Sequence, residues 1–196
     1  MCKKILNEIL LSHKPSEGIY KLLETGQIKQ IIPELLKLKG FEQRTPYHDK
    51  DVLDHTMAVV DSIEPKLTLR MAALLHDISK PDCFTADEKG RGHFYGHHIK
   101  SAKESEKILK RLGYDDDFIS DVYILVKYHY IKDITSSIKE KGINKFIESV
   151  GEHRIDDMLK LIVADMMGKP DNKGNMDVVN KLSELIRQYR QKKINE

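Results

Sequence analysis

The sequence predicts an all-α protein. Apolar residues recur at helical rather than alternating spacing along most of the chain, glycine and proline cut it into segments of helix length, and strand-like alternation is hardly seen. Its 196 residues suit one domain, or one domain with a helical appendage. A chain of this length buries roughly 70% of its unfolded surface, so it needs no disulfide or structural metal to fold.

The elements follow in order. In 3–12, Ile5, Leu6, Ile9 and Leu10 form the stripe of a short helix. Pro15-Ser16-Glu17 opens a second, with Ile19, Leu22 and Leu23 on one side and Gly26 as its stop. A third covers Ile31 to Leu38, with Pro33 in its first turn and Gly40 closing it. The segment 41–50 is loop, followed by helices over 51–64 and 67–79, bounded by Pro65 and Pro81. Residues 82–96 hold three glycines and mixed charges, the pattern of a long exposed loop that walls or covers a site. Helices resume over 97–112, ended by Gly113, then 117–130, entered through Asp115-Asp116-Asp117. Further helices cover about 136–149, 154–167 ended by Gly168, and 177–190. There is no internal repeat, low-complexity tract or linker.

With 40% hydrophobic and 33% charged residues, the composition is that of a globular protein somewhat rich in charge. The 33 basic and 31 acidic residues give +2, which argues against a dedicated polyanion coat. Cys2 and Cys83 have no metal or redox spacing, which fits a reduced, cytoplasmic protein. The segment MCKKILNEILLSHK lacks the apolar core of a signal peptide, and no run approaches the 18 apolar residues of a membrane span. Secreted toxins, membrane proteins, collagens and disordered tails are thereby excluded. Nine histidines beside no tryptophan is the unusual count.

Several ionisable residues occupy helix positions that ought to be apolar. His55 lies within the stripe Val52, Thr56, Val59, Val60, Ile63. His76-Asp77 stands at the edge of the run Met71, Leu74, Leu75, Ile78. His129 follows Phe118, Val122, Leu125, Val126 in register, and Asp165 shares a face with Met158 and Ile162. Each has a plain structural explanation: a core histidine bonded to backbone, or an aspartate capping a neighbouring helix. Four helices each pointing one such group inward are better explained together, because burying them singly costs several kcal/mol. A divalent metal is the usual agent that satisfies several His and Asp at once.

The spacing His55, His76-Asp77, Asp165 resembles the H…HD…D signature of the HD-domain superfamily of metal-dependent phosphohydrolases. The runs PELLKLKGFEQRTPYHDKDVLDHT, LRMAALLHDISKPDCF, GHFYGHHIKSA and VKYHY are similar to the HD-containing part of bacterial tRNA nucleotidyltransferases, the CCA-adding enzymes. ILLSHKPSEGIYKLLETG resembles the neck that precedes it there. The likeness covers roughly residues 5–170 and does not include the polymerase head. It implies a free-standing, HD-like helical bundle: a neck-like segment over 1–40, the HD domain over 41–170, and a helix over 171–196 packed on the same domain.

Carried over by position, the resemblance makes His55, His76, Asp77 and Asp165 ligands of one metal. His97 and His129 match positions that hold a second ion in binuclear relatives, with Asp77 bridging. Lys80 matches the lysine of the HDxxK form, near substrate phosphate. His98 stands where relatives often carry an acidic residue, and Ser79 where glycine is common. In such a set a divalent ion lowers the pKa of water and neutralises charge on phosphoryl oxygens. Asp77 either ligates or orients the nucleophile. Mixed His/Asp donors suit Mn, Fe, Co, Ni or Mg, with one ion or two per chain. The expected substrate is a nucleotide, cyclic nucleotide or nucleic-acid-end phosphoester. Arg91 closes over a phosphate if the 82–96 loop acts as a lid, and His98 lies beside the substrate. His48 and His93 read as loop residues flanking the site, and His13 and His153 as surface.

Lys100, Lys103, Lys107 and Lys110 share one face of the 97–112 helix, with Glu104 and Glu106 diluting it. A solvated outer surface explains that face better than an RNA contact, and no aromatic cluster suited to stacking single strands is evident. The alternative function is a non-hydrolytic RNA- or protein-binding module built on the same body, using the neck-like helices as its contact.

Overall fold

The computed structural model describes residues 1–44, 51–130, 140–168 and 173–195, with the backbone alone at 140–141 and 173–175. The all-α prediction holds. The chain forms α1 (Cys2–Leu10), α2 (Pro15–Glu24), α3 (Ile28–Ile31), α4 (Val52–Ser62), α5 (Leu67–Leu75), α6 (His97–Leu112), α7 (Asp116–Tyr128), α8 (Glu140–Val150), α9 (Ile155–Met167) and α10 (Lys173–Asn195). Short 3-10 turns cover Pro33–Leu38, Pro81–Cys83 and Glu152–Arg154.

Some of the predicted helix start and stop residues act through their expected chemistry. Asp115 caps α7, accepting the Phe118 N–H at 2.9 Å, and Gly113 ends α6 in the left-handed conformation. Asp51 caps α4 by accepting the Asp54 N–H at 2.7 Å, and its second oxygen takes the Gly40 N–H. Pro33 divides the predicted 31–38 helix: lacking an N–H, it closes α3 after one turn and starts a 3-10 turn. The last helix is longer than its apolar stripe suggested, 173–195 rather than 177–190. The start of the predicted 136–149 helix lies outside the described residues.

Residues 82–96 are more ordered than a loop. Thr85–Ala86 and Gly92–His93 pair antiparallel, and Asp87 closes the turn by accepting the Lys89 and Arg91 N–H groups. The Gly92 N–H donates to Arg44 O at 2.9 Å, joining the hairpin to the 41–44 segment. A side chain at 92 would drive into the Gln43 carbonyl, so the approach requires glycine. Phe41 meets Phe84 and Phe94 edge to face, and those two rings pack tilted against each other, with centroids 5.7 Å apart.

The core lies where α4, α5, α7 and α9 meet, with α6 laid along α7 and α10 along α9. It is almost wholly aliphatic, built from residues such as Val59, Val60, Leu74, Val122, Val126, Met158 and Ile162. At the N-terminal side α1 packs on α5 and α2 on α4. The buried Arg70 joins these layers, its Nε donating to Ile63 O at 2.8 Å and Nη1 to Leu10 O and Ser12 O, each at 2.6 Å. Asp61 on α4 accepts the Ser16 N–H and hydroxyl at the start of α2, at 2.9 and 2.6 Å.

Candidate metal centre

Within the aliphatic core stands one polar cluster: His55, His76, Asp77, Lys80, His97, His129 and Asp165, none more than 7% exposed. Five elements supply it. His55 comes from the middle of α4, His76 and Asp77 from the turn that ends α5, and His97 from the first position of α6. His129 terminates α7 and Asp165 sits in the last turn of α9. The predicted 67–79 helix stops at Leu75, and His76 and Asp77 lie buried in the turn that follows.

Three histidines are oriented by one device. Nδ1 of His76 donates to Ala73 O at 2.7 Å, Nδ1 of His97 to Phe94 O at 2.8 Å, and Nδ1 of His129 to Val126 O at 2.6 Å. A carbonyl only accepts, so each Nδ1 carries a proton, and a ring that is neutral presents a bare Nε2. For His76 and His129 the acceptors are carbonyls that a helix C-terminus leaves without an intrahelical donor. The rings converge, His76 to His129 with centroids 5.1 Å apart, His97 to His129 at 5.5 Å and His55 to His76 at 5.6 Å.

The carboxylates meet these nitrogens. His55 Nε2 lies 2.9 Å from Asp165 Oδ1, while its Nδ1 faces Gly168 O at 3.4 Å. His76 Nε2 is 3.3 Å from Asp77 Oδ2 and 3.7 Å from Asp165 Oδ1, and His97 Nε2 is 3.3 Å from Asp77 Oδ1. Lys80 Nζ donates to Asp77 Oδ2 at 2.8 Å and lies over the Phe94 ring at 5.3 Å.

Burial and neighbouring charge set the protonation states. Burial pushes His129 down to about 3, reinforced by His76 and His97. Burial also lowers His55, against the pull of Asp165, and His97, against the pull of Asp77. His76 is raised, because Asp77 and Asp165 outweigh the effect of its burial. Burial alone would raise Asp77, but Lys80, His76 and His97 hold it well below the usual carboxylate range.

This donor set fits a divalent ion. His55, His76 and Asp165 place one ligand atom each within 4.8 Å of one another, and so do His76, Asp77 and His129. His76 Nε2 and Asp77 Oδ1 are buried and make no hydrogen bond. Acceptors that face one another in a dry core without protons between them repel, and a shared cation removes that cost.

The other candidates lie farther out. His98 stacks on Tyr130 with centroids 5.5 Å apart and touches His97 edge-on at 5.6 Å, so it borders the cluster. Arg91 is exposed in the hairpin turn, outside the cluster. His93 binds Asp87 at 3.2 Å and stacks on the exposed Tyr95. His13 and His153 are exposed, and His48 lies outside the described residues. On the outer face of α6, Lys107 pairs with Glu104, Lys110 with Glu106 and Arg111 with Glu34, as a solvated surface would. Sequence reasoning did not single out Gly168, whose carbonyl faces His55, or Tyr130. Gly168 carried only the signal of a helix stop.

Comparison with known proteins agrees with this architecture. The HD domain family model matches residues 47–171. An A-adding tRNA nucleotidyltransferase from Deinococcus radiodurans is 30% identical over 166 residues, covering 82% of this chain and 37% of that protein. The Multifunctional CCA proteins of Dechloromonas aromatica and Cupriavidus metallidurans are 33% and 32% identical over 124 and 128 residues, covering 61% and 63% of this chain. The chain thus spans well under half the length of these relatives. No helix among the described residues is long and apolar enough to cross a membrane. HD domains bind divalent metals, and the match extends across every helix that feeds the His/Asp cluster: the chain belongs to the HD domain family.

Proposed function

We propose that this chain is a divalent-metal-dependent phosphohydrolase acting on a nucleotide, cyclic nucleotide or nucleic-acid-end phosphate. The observation that carries the reading is the buried convergence of imidazole nitrogens and carboxylates, with His76 Nε2 and Asp77 Oδ1 left without hydrogen bonds. His55, His76, Asp77 and Asp165 would hold the ion, with His97 and His129 the further donors. When bound, Mn, Fe, Co, Ni or Mg supplies an electrophile that acidifies water and neutralises phosphoryl charge.

The chain's own residues supply position and dryness. The Ala73, Phe94 and Val126 carbonyls fix three ring orientations, and Gly168 O faces the fourth. Lys80 steadies Asp77 from the side away from His97. His98 and Tyr130 border the cluster where substrate would enter, and Arg91, exposed on the hairpin, would meet a phosphate if the hairpin closed. We assign residues 1–40 to a neck-like segment, 41–170 to the HD body and 171–196 to a helix packed on it.

The test is hydrolysis of a generic phosphodiester and a 2′,3′-cyclic nucleotide across added Mg, Mn, Ni and Co, with Asp77→Ala as the control. Metal-stimulated turnover that disappears in the variant supports the reading, and undiminished turnover in Asp77→Ala refutes it. The relatives' names favour a second reading, that the protein associates with tRNA. Salt-dependent retention of tRNA would support it, and retention absent at low salt would end it.

A further inference from the structure

Phe94, Tyr95, Gly96 and His97 form one tight turn at the start of α6. The His97 N–H donates to Phe94 O at 3.3 Å, and its Nδ1 donates to the same carbonyl at 2.8 Å. The turn gives two of its residues opposite surroundings: His97 is 4% exposed in the His/Asp cluster, whereas Tyr95 is 78% exposed. Among the described residues no other tyrosine or phenylalanine is exposed.

The exposed ring is nevertheless held. Asp87 takes the Lys89 and Arg91 N–H groups on Oδ1, at 3.0 and 2.9 Å, and its Oδ2 accepts from His93 Nε2 at 3.2 Å. With that proton on Nε2, the neutral His93 ring accepts the Tyr95 O–H at Nδ1, 3.4 Å away. The His93 and Tyr95 ring planes are parallel to within 4°. Fixing a side chain costs rotamer entropy that burial ordinarily offsets. Tyr95 is fixed without being buried, the state of a recognition surface organised before its ligand arrives.

The turn narrows the choice of ligand. A flat ring open to water binds another flat ring by stacking, and every nucleobase has such a face. Tyr95 and His97 are two positions apart, so their Cα atoms are separated by at most about 7 Å. A nucleotide joins base to phosphate through one sugar, and so offers an aromatic plane and an anion to two such neighbouring places. One exposed ring takes one base and makes no track for a strand.

We propose that Tyr95, tethered through His93 to Asp87, is the platform on which the base of a nucleotide stacks while its phosphate occupies the metal centre. This rests on the phosphohydrolase reading above and narrows its substrates to phosphoesters that carry a base one sugar away.

The experiment compares AMP with ribose 5-phosphate, which differ only in the base, binding to the full chain in magnesium buffer. Calorimetry reads the affinities, and proton NMR reads the Tyr95 ring, its resonances assigned by their loss in Tyr95→Ala. AMP should bind about 5- to 150-fold more tightly and shift the ring resonances. Tyr95→Ala, or Tyr95→Leu should the first not fold by circular dichroism, should bind the two ligands equally. Tyr95→Phe, which keeps the ring, should retain most of the preference. In turnover of 2′,3′-cyclic AMP, Tyr95→Ala should raise KM and leave kcat unchanged. Equal affinities in the unaltered protein, binding of neither ligand, or a preference that survives Tyr95→Ala would each overturn the proposal. Metal-stimulated turnover of a generic phosphodiester separates the two readings: with it intact only the proposal falls, and without it both fall.

Discussion

Gly168→Ala tests whether the contact behind His55 matters to the metal centre. Gly168 has φ −70° and ψ −4°, ordinary values for alanine, so the substitution introduces no backbone strain. Restricting the unfolded chain favours the variant by about 0.4–1 kcal/mol. Packing opposes it: the new Cβ would stand 3.0 Å from both Cε1 and Nδ1 of His55 and 3.3 Å from Val59 Cγ2. His55 is fully buried against His76, so its ring has little room to retreat. Overpacking of this kind costs about 1–3 kcal/mol, which leaves a net loss of roughly 0–2.5 kcal/mol in the metal-free protein. The larger effect should fall on metal affinity, because the methyl pushes the Nδ1 edge of His55, a proposed ligand that Gly168 O faces at 3.4 Å. Disturbing such an outer partner lowers affinity about 10- to 100-fold. Mn calorimetry with chelator competition gives the affinity, and thermal unfolding in chelator gives the stability. Gly113→Ala is the control: at φ +77° with no atom within 4 Å of the new Cβ, it should cost about 1–2 kcal/mol and leave affinity unchanged. Wild-type affinity in Gly168→Ala would refute the argument that this backbone contact positions His55.

The remaining expectations concern the fold and its dependence on metal and pH. Chelation should lower the thermal midpoint by about 5–11 °C relative to protein in metal at a hundred times its Kd, from about 2.7 kcal/mol of linkage and 2–4 °C per kcal/mol. An unchanged midpoint in both would count against native-state metal binding. Arg70→Met removes three charge-assisted bonds to Ile63, Leu10 and Ser12 carbonyls and should cost about 3 kcal/mol or more, measured by urea unfolding. Amide exchange in α1 should accelerate with it, and a cost below about 1 kcal/mol would show the clamp to be dispensable. Glu34 is held below its ordinary value because Arg111, which it meets at 2.6 Å, outweighs its partial burial. A lowered folded-state pKa stabilises above the unfolded value of about 4.3, and that contribution disappears as pH falls through the folded one. Glu34→Gln should therefore be less stable than the unaltered protein at pH 7, with the gap narrowing as the pH falls into the acid range, and a gap of constant size throughout would contradict the ion pair's role.

How much of this was legible in the sequence depends on whether the cause was local. Asp115 before α7 and Gly113 after α6 act within a turn of their own position, so their roles could be read directly. His55, His76, His129 and Asp165 stood out because a polar group on an apolar stripe needs a partner. Their meeting point was not legible, since it depends on four helices crossing. The stop of α5 at Leu75 was hidden because nothing in HDISK breaks a helix until Pro81. The early end follows instead from the turn in which Lys80 reaches Asp77 and His76 reaches Ala73. The small hairpin escaped notice because two-residue strands are too short for alternation. Gly168 read as a helix stop, and its proximity to His55, 113 positions away, emerges only in the folded chain.

The hydrogen bonds from His76, His97 and His129 to carbonyls three residues earlier have a consequence for metal selectivity. Each ring is anchored to its own stretch of backbone, so the spacing of the donors is inherited from the packing of the helices. Such an aperture neither contracts around a small ion nor widens for a large one without moving a helix. With the proposed ion bound, it would grade ions by radius and coordination number before the Irving–Williams ranking has its say. The metal that the protein takes up would then report the geometry of the bundle as well as the supply of ions in the cell.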